Sequence, residues 1–227
     1  MIHGPPGTGK SETLTVLLEI LAKLDLKVLV CSEANNPVDN LLTKFAKTKT
    51  FDELMSKSGK VVRAGNSFLV DKKCKAFTIS HLMKKNKDEK FSSKSQEEKE
   101  KKLLADAQIV FTTQCSCFKD TFLNTFKDNK FDYCILDEAS QSFLGFTLMA
   151  SSLAERAVFA GDHKQLPPVV KSKMCTELLE KSLFETLDTA RKSQEDPSLI
   201  YQLLNVQYRM NQKLMHPSNH LFYDSLV

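Results

Sequence analysis

Short apolar runs recur along the chain, and each is followed by a stretch with helical periodicity. Leu26 to Ser32 reads LKVLVCS, Lys60 to Ala64 KVVRA, Gln108 to Thr112 QIVFT, Tyr133 to Asp137 YCILD and Arg156 to Ala160 RAVFA, with a further run from Leu203 to Val206. Runs this continuous suit strands buried on both faces. Between them Leu14, Leu17, Leu18, Leu21 and Leu24 repeat at helical spacing. Pro37, at a first-turn position, leads a second helix through Leu41, Leu42 and Phe45. Alternating strand and helix predict an α/β fold, a mostly parallel sheet with helices on both faces.

One stretch breaks this pattern. From Lys84 to Lys102 there is a single aromatic residue, no aliphatic one, and eight lysines against five acids. Such a segment has too little to bury to join a core, so residues 81–104 are expected to form a charged insertion. It is either a solvated excursion or a surface for a phosphate backbone.

Composition narrows the rest only a little. The 227 residues are 41% hydrophobic and carry a net charge of +4, enough apolar content for a core and too little charge to announce a nucleic-acid binder. Six cysteines include no C-x-x-C pair, which points to reduced, mostly buried thiols rather than a zinc site. No run approaches the roughly 20 apolar residues of a membrane span, and no signal segment opens the chain. A soluble intracellular protein is expected, its compartment left open between nucleus and cytoplasm.

Candidate chemistry begins at Gly4-Pro5-Pro6-Gly7-Thr8-Gly9-Lys10-Ser11, which satisfies G-x-x-x-x-G-K-[ST] between a stub of strand and an amphipathic helix. Glycines let backbone N–H groups turn inward around phosphates, the helix start adds its positive end, Lys10 supplies a charge and Ser11 a hydroxyl for Mg²⁺. A strand normally precedes such a loop, and only Met1, Ile2 and His3 stand before it. A chain cut from a longer one is therefore expected.

The run ending in Asp137 and Glu138 places two acids at a strand's carboxyl end, Asp137 to hold Mg²⁺ through water and Glu138 to activate the attacking water. Gln141, a turn later, is placed to sense the terminal phosphate. The loop Gly161-Asp162-His163-Lys164-Gln165-Leu166-Pro167-Pro168 puts Asp162 and Gln165 at the same edge, with His163 expected as a surface loop histidine. In Val206-Gln207-Tyr208-Arg209-Met210, Tyr208 offers a ring for a base and Arg209 a cation for phosphate.

The order GPPGTGKS, CSEANNPVDNL, FTTQCS, ILDEASQ, GDHKQLPP, VQYRM resembles the first RecA-like domain of superfamily 1B helicases. The group is that of the nonsense-mediated-decay, senataxin and immunoglobulin-μ-binding types, the DNA2/NAM7-like helicases, and the tail HPSNHLFY adds to the likeness. The resemblance covers essentially the whole chain, and Ala34, the run Gln114 to Cys117 and Asn211 depart from its pattern. It implies a RecA-like P-loop domain over residues 1–227 of a longer helicase, with ATP and Mg²⁺ as cofactors. Lys10, Ser11, Asp137, Glu138, Gln165 and Arg209 would bind triphosphate and metal or assist hydrolysis, Tyr208 would stack on the base, and Asn35, Val38, Asp39 and Thr113 would lie along a single nucleic-acid strand, RNA favoured over DNA. It further implies a second RecA-like domain that completes the site. Two other readings stay open: an ATP-gated clamp that does not unwind, and an AAA+ remodelling ATPase, which would place a polar sensor and a helical lid where GDHKQLPP and VQYRM stand.

Overall fold

The computed structural model describes residues 1–56, 60–85, 95–193, 200–224 and 226–227. In chain order the strands are β1 Ile2–His3, β2 Val28–Ser32, β3 Val61–Arg63, β4 Ile109–Thr113, β5 Phe131–Leu136, β6 Ala154–Gly161 and β7 Gln202–Leu203. The helices are α1 Lys10–Lys23, α2 Asn35–Phe45, α3 Lys49–Ser56, α4 Ile79–Lys85, α5 Gln96–Asp106, α6 Asp120–Phe126, α7 Leu144–Ser152, α8 Thr176–Leu179, α9 Leu183–Lys192 and α10 Gln212–Ser218. The strands form one sheet in the order β3-β4-β2-β5-β6-β1-β7, and every pairing is parallel.

Alternation along the central strands feeds two separate cores, as a parallel sheet covered on both faces requires. Val28, Val30, Ile109, Phe111 and Ile135 face Leu14, Leu18, Leu41, Leu42 and Phe45 of α1 and α2. Leu29, Cys31, Val110, Cys134 and Leu136 face the opposite way, toward Leu104, Phe122, Phe126, Ala150 and Phe184. The expected α/β architecture is therefore present, with shifts at its ends. β7 stops at Leu203 instead of running to Val206, because its neighbour β1 is only two residues long. Beyond it the chain leaves the sheet, and Asn205 and Gln207 bond to the backbone of Val227 instead.

The charged insertion is less separate than its composition predicts. α4 carries buried Leu82 and α5 carries buried Leu104, both part of one core. α5 opens with a capping box between Ser95 and Glu98, accepts Lys27 Nζ at the carbonyl of Ala105, and packs on α6. Both flanks of the excursion thus belong to the domain, because their apolar residues sit at its ends; residues 86–94 of that reading lie outside the described residues.

All six cysteines are free; Cys31, Cys74, Cys117 and Cys134 are buried. Burial pushes the Cys31 thiol well up, with Cys117 Sγ 3.6 Å away. No helix among the described residues is long and apolar enough to cross a membrane.

Candidate nucleotide-binding site

β1 delivers Gly4 to the carboxyl edge of the sheet, where its N–H donates to the Gly161 carbonyl of β6 at 3.0 Å. The loop then closes on itself: the Pro5 carbonyl accepts from the Thr8 hydroxyl at 2.8 Å and from the Thr8 N–H at 3.3 Å. Gly7 and Gly9 take φ of 78° and 83°, left-handed conformations that glycine adopts without cost. Gly9 directly precedes α1, so the unpaired N–H groups of a 14-residue helix start under the loop. A Cβ on Gly4 would sit 3.0 Å from the Lys10 Cβ, so the glycine lets the loop lie against the lysine stem. A cradle of inward N–H groups, a helix start and a lysine suits a phosphate chain.

Opposite Lys10 stand the acids of β5. Lys10 Nζ lies 2.8 Å from Glu138 Oε1 and 3.7 Å from Asp137 Oδ1. β5 is not next to β1, since β6 intervenes, and the turn after β5 must reach across it. Glu138 makes that turn at φ 54°, a conformation that costs a non-glycine residue roughly 1–2 kcal/mol. The Asp137 carboxylate accepts the Glu138 N–H at 2.9 Å, and the Ala139 N–H donates to Ala160 of β6. Burial pushes the Asp137 carboxyl up from its ordinary value, with Lys10 pulling the other way. Ser11 lies in the first turn of α1, half-buried. Among the described residues no group of three His, Cys, Asp or Glu gathers as a metal cage.

Four more predicted residues come to this edge. The Tyr208 N–H donates to the Gly7 carbonyl at 2.9 Å, and a Cβ on Gly7 would strike the Gln207 side chain at 2.7 Å and Arg209 Cβ at 2.8 Å. VQYRM is thus laid on the phosphate loop, with the Gln207 amide oxygen accepting the Arg209 and Met210 N–H groups and the Tyr208 ring 78% exposed. The Gln141 N–H donates to the Glu138 carbonyl at 3.0 Å, one turn past the acid. Gln165 Nε2 donates to Asp162 Oδ2 at 2.7 Å.

Two of the four residues assigned to a nucleic-acid strand, Asn35 and Asp39, meet toward the other end of the edge around a side chain that sequence reasoning missed. Arg63, 1% exposed at the end of β3, donates through Nε to Asp39 Oδ1 at 2.7 Å, through Nη2 to Asn35 Oδ1 at 2.8 Å and through Nη1 to the Ala64 carbonyl. Asp39 Oδ2 also accepts the Asp71 N–H at 2.8 Å. Val38 and Asp39 are 1% and 3% exposed, because they share the face of α2 that docks on the sheet. Their side chains offer no surface to a strand; Asn35 is half-buried, and the Thr113 hydroxyl lies 3.0 Å from that of Ser116. The signal for Arg63 was an arginine ending an otherwise apolar strand.

A second missed group surrounds Asp162, also 1% exposed. Burial opposes its ionisation, yet bonds from His3, Tyr223, Gln165 and the Lys164 N–H outweigh that and hold its carboxyl at about 2. Tyr223 is pushed up by burial and by Asp162. His163 is not the surface loop histidine the sequence suggests. Its side chain is 12% exposed, Nε2 lies 3.4 Å from Asp188 of α9, and its ring packs 5.0 Å from that of His3. The loop folds back on α9, and burial lowers the His163 pKa.

The chain is similar to known proteins over most of its length. A family model described as an AAA domain matches residues 1–100 and 85–173. The chain is 36% identical over 225 residues to the Xenopus laevis DNA replication ATP-dependent helicase/nuclease DNA2, covering 99% of this chain and 19% of that protein. It is 35% identical to the Schizosaccharomyces pombe protein of that name, over 98% of this chain and 14% of the relative. It is 26% identical to the rat DNA-binding protein SMUBP-2, over 98% of this chain and 25% of that protein. The chain therefore spans a quarter or less of the length of these relatives. With the phosphate loop, the paired acids and the all-parallel sheet in place, the chain belongs to the DNA2/NAM7-like superfamily 1B helicases and carries their first RecA-like domain.

Proposed function

We propose that this chain is the ATP-binding half of a motor that hydrolyses ATP to move along a single nucleic-acid strand. The observation that carries the reading is the meeting of Lys10 with Glu138 at 2.8 Å and Asp137 at 3.7 Å beneath a glycine loop at the start of α1. One cation and two carboxylates of different burial are what phosphoryl transfer to water needs beside a triphosphate. The loop Gly4 to Gly9 would hold the phosphates through its N–H groups, and Lys10 would exchange its carboxylates for the β and γ groups. Glu138, released from Lys10, would orient and deprotonate the attacking water. Ser11 and Asp137 would hold Mg²⁺, which when bound supplies charge neutralisation at the phosphate oxygens. Gln141 and Gln165 would face the terminal phosphate, Arg209 would offset its charge from the far side of Gly7, and Tyr208 would stack on the base.

The strand would run along the carboxyl edge of β2 and β4, past Asn35 and Thr113, with Val38 and Asp39 supporting that edge from below. The sequence favours RNA by resemblance alone, whereas the relatives carry DNA in their names, and that supports single-stranded DNA as the substrate. A second RecA-like domain would close over the nucleotide in the longer protein.

The test is phosphate release by the full-length protein with and without single-stranded DNA or RNA. Glu138→Gln should keep ATP-analogue binding and lose turnover by roughly 10²–10⁴, the usual range for a positioned base. Lys10→Ala should lose nucleotide affinity. Unchanged hydrolysis in Glu138→Gln, or unchanged affinity in Lys10→Ala, would remove the basis of the reading.

A further inference from the structure

The carboxylate of Asp162 joins its own loop to two parts of the chain that are far away in sequence, the end of β1 and the turn after α10. Its Oδ1 accepts from His3 Nε2 at 2.9 Å and from the Lys164 N–H at 3.1 Å. Its Oδ2 accepts from the Tyr223 hydroxyl at 2.6 Å and from Gln165 Nε2 at 2.7 Å. Each oxygen thus has two donors, and solvent has almost no access.

An ionised carboxylate only accepts hydrogen bonds. Asp162 therefore decides which end of the Gln165 amide turns toward it: the NH₂ group does, leaving Oε1 and the second N–H for other partners. The same logic places a proton on His3 Nε2, so that in the neutral ring Nδ1 accepts from the Tyr201 hydroxyl at 2.8 Å. His3 is the last residue of β1 and is followed at once by Gly4. Tyr223 ends the π-helical turn Asn219–Tyr223 that follows α10.

We infer that Asp162 is a positioning residue for ATP hydrolysis: it presets the Gln165 amide, ties that amide through His3 to the root of the phosphate loop, and is kept from turning by Tyr223. The inference rests on the ATP-hydrolysis reading. An amide already held in one orientation needs no reorganisation when charge develops on the phosphoryl group, which is where a fixed dipole acts on rate rather than on ground-state binding.

The experiment uses the full-length protein, with steady-state ATP turnover and ATP-analogue affinity as readouts. Asp162→Asn puts an NH₂ group where two donors now point. The expected result is a kcat lower by about 10–100-fold, the range for removing the partner that orients a reactive group, with KM for ATP changed by less than about twofold. In a Gln165→Ala background, which keeps Lys10 and Glu138 and so a residual turnover, Asp162→Asn should cost nothing further in kcat. A merely structural carboxylate would lower both backgrounds alike, and that outcome overturns the inference. Tyr223→Phe removes one of the four donors to the carboxylate and leaves Asp162 in place, and it carries the same test if Asp162→Asn does not fold. Its expected kcat loss is smaller and again absent in Gln165→Ala. Glu138→Gln, run alongside, separates the two readings. If it leaves phosphate release unchanged, the ATP-hydrolysis reading fails on its own account. If it stops release while Asp162→Asn and Tyr223→Phe leave kcat untouched, only the positioning role falls.

Discussion

Gly161 and Ser140 approach so closely that a Cβ on the glycine would lie 2.9 Å from the Ser140 backbone nitrogen. The contact is where the turn carrying Asp137 and Glu138 crosses the end of β6 to reach Lys10. The Ser140 hydroxyl accepts the next N–H, that of Asp162, at 3.1 Å, so one crossing sets both the acids and the Asp162 loop.

Gly161→Ala should therefore cost stability and function together. The obstructing atoms are backbone, which cannot swing aside as the end of a long side chain would, and overpacking of this kind costs typically 1–3 kcal/mol. Thermal and denaturant midpoints should fall by that order, and ATP-analogue affinity should fall in the folded fraction as the acids shift from Lys10. A variant as stable as wild type with full affinity would show that the crossing has room to spare.

Arg63 and Asp39 give a sharper stability test. The pair is buried on both sides, and removing one partner from such a pair costs about 3–5 kcal/mol because the other charge is left unpaired. Arg63→Met should show that loss in chemical denaturation. Arg63→Met with Asp39→Leu should recover most of it, since apolar groups of similar volume then meet. Asn35 loses its anchor in both variants, so a role for Asn35 on a nucleic-acid strand predicts weaker strand binding in the double variant even after stability returns. Additive destabilisation by the two substitutions would mean the pair is not coupled.

These two sites mark what a sequence can and cannot reveal about this domain. The phosphate loop and its lysine are contiguous, and the acids end an apolar strand, so both stand out in the sequence, as does the alternation of strand and helix that predicts a mostly parallel sheet. The burial of Val38 and Asp39 was foreshadowed by the same helical face that gives Leu41, Leu42 and Phe45 to the core, a face that the motif reading passed over. His3 and Asp162 are 159 positions apart and Asp162 and Tyr223 are 61 apart, with no local pattern joining them, so only the folded sheet brings them together. The flanks of the charged stretch were harder to read for a different reason. The lysine-rich composition holds from Lys84 to Lys102, and Leu82 and Leu104, which tie α4 and α5 to the core, lie just outside it.

The depressed Asp162 carboxyl sets a pH window. Its folded value is about 2 against an ordinary 3.8, so the ionised form stabilises the fold fully above about pH 4. That contribution is lost as pH falls from about 4 to 2, when the native carboxylate must take up a proton. Thermal midpoints measured across this range should drop more steeply for wild type than for Asp162→Asn, which has no proton to gain. Parallel curves for the two proteins would show that acid sensitivity arises elsewhere.

Residues 1–227 alone should bind ATP and hydrolyse it slowly, with little stimulation by single-stranded DNA. On the proposed function Lys10 and Arg209 would reach the phosphates from this domain only, and the relatives this chain matches are several times longer. An arginine delivered from a second domain is worth about 10³–10⁵ in rate in comparable phosphoryl transfers, because it offsets charge that appears only in the transition state. Coupling to a strand requires the strand to favour a closed arrangement over an open one, and a single domain has no such pair of states to bias. Phosphate release would be compared between residues 1–227 and the full-length protein, each with and without DNA. A full-length rate higher by orders of magnitude and responsive to DNA is the expected result. Equal rates with equal stimulation would mean that the site is complete within these residues, and the two-domain motor would have to be given up.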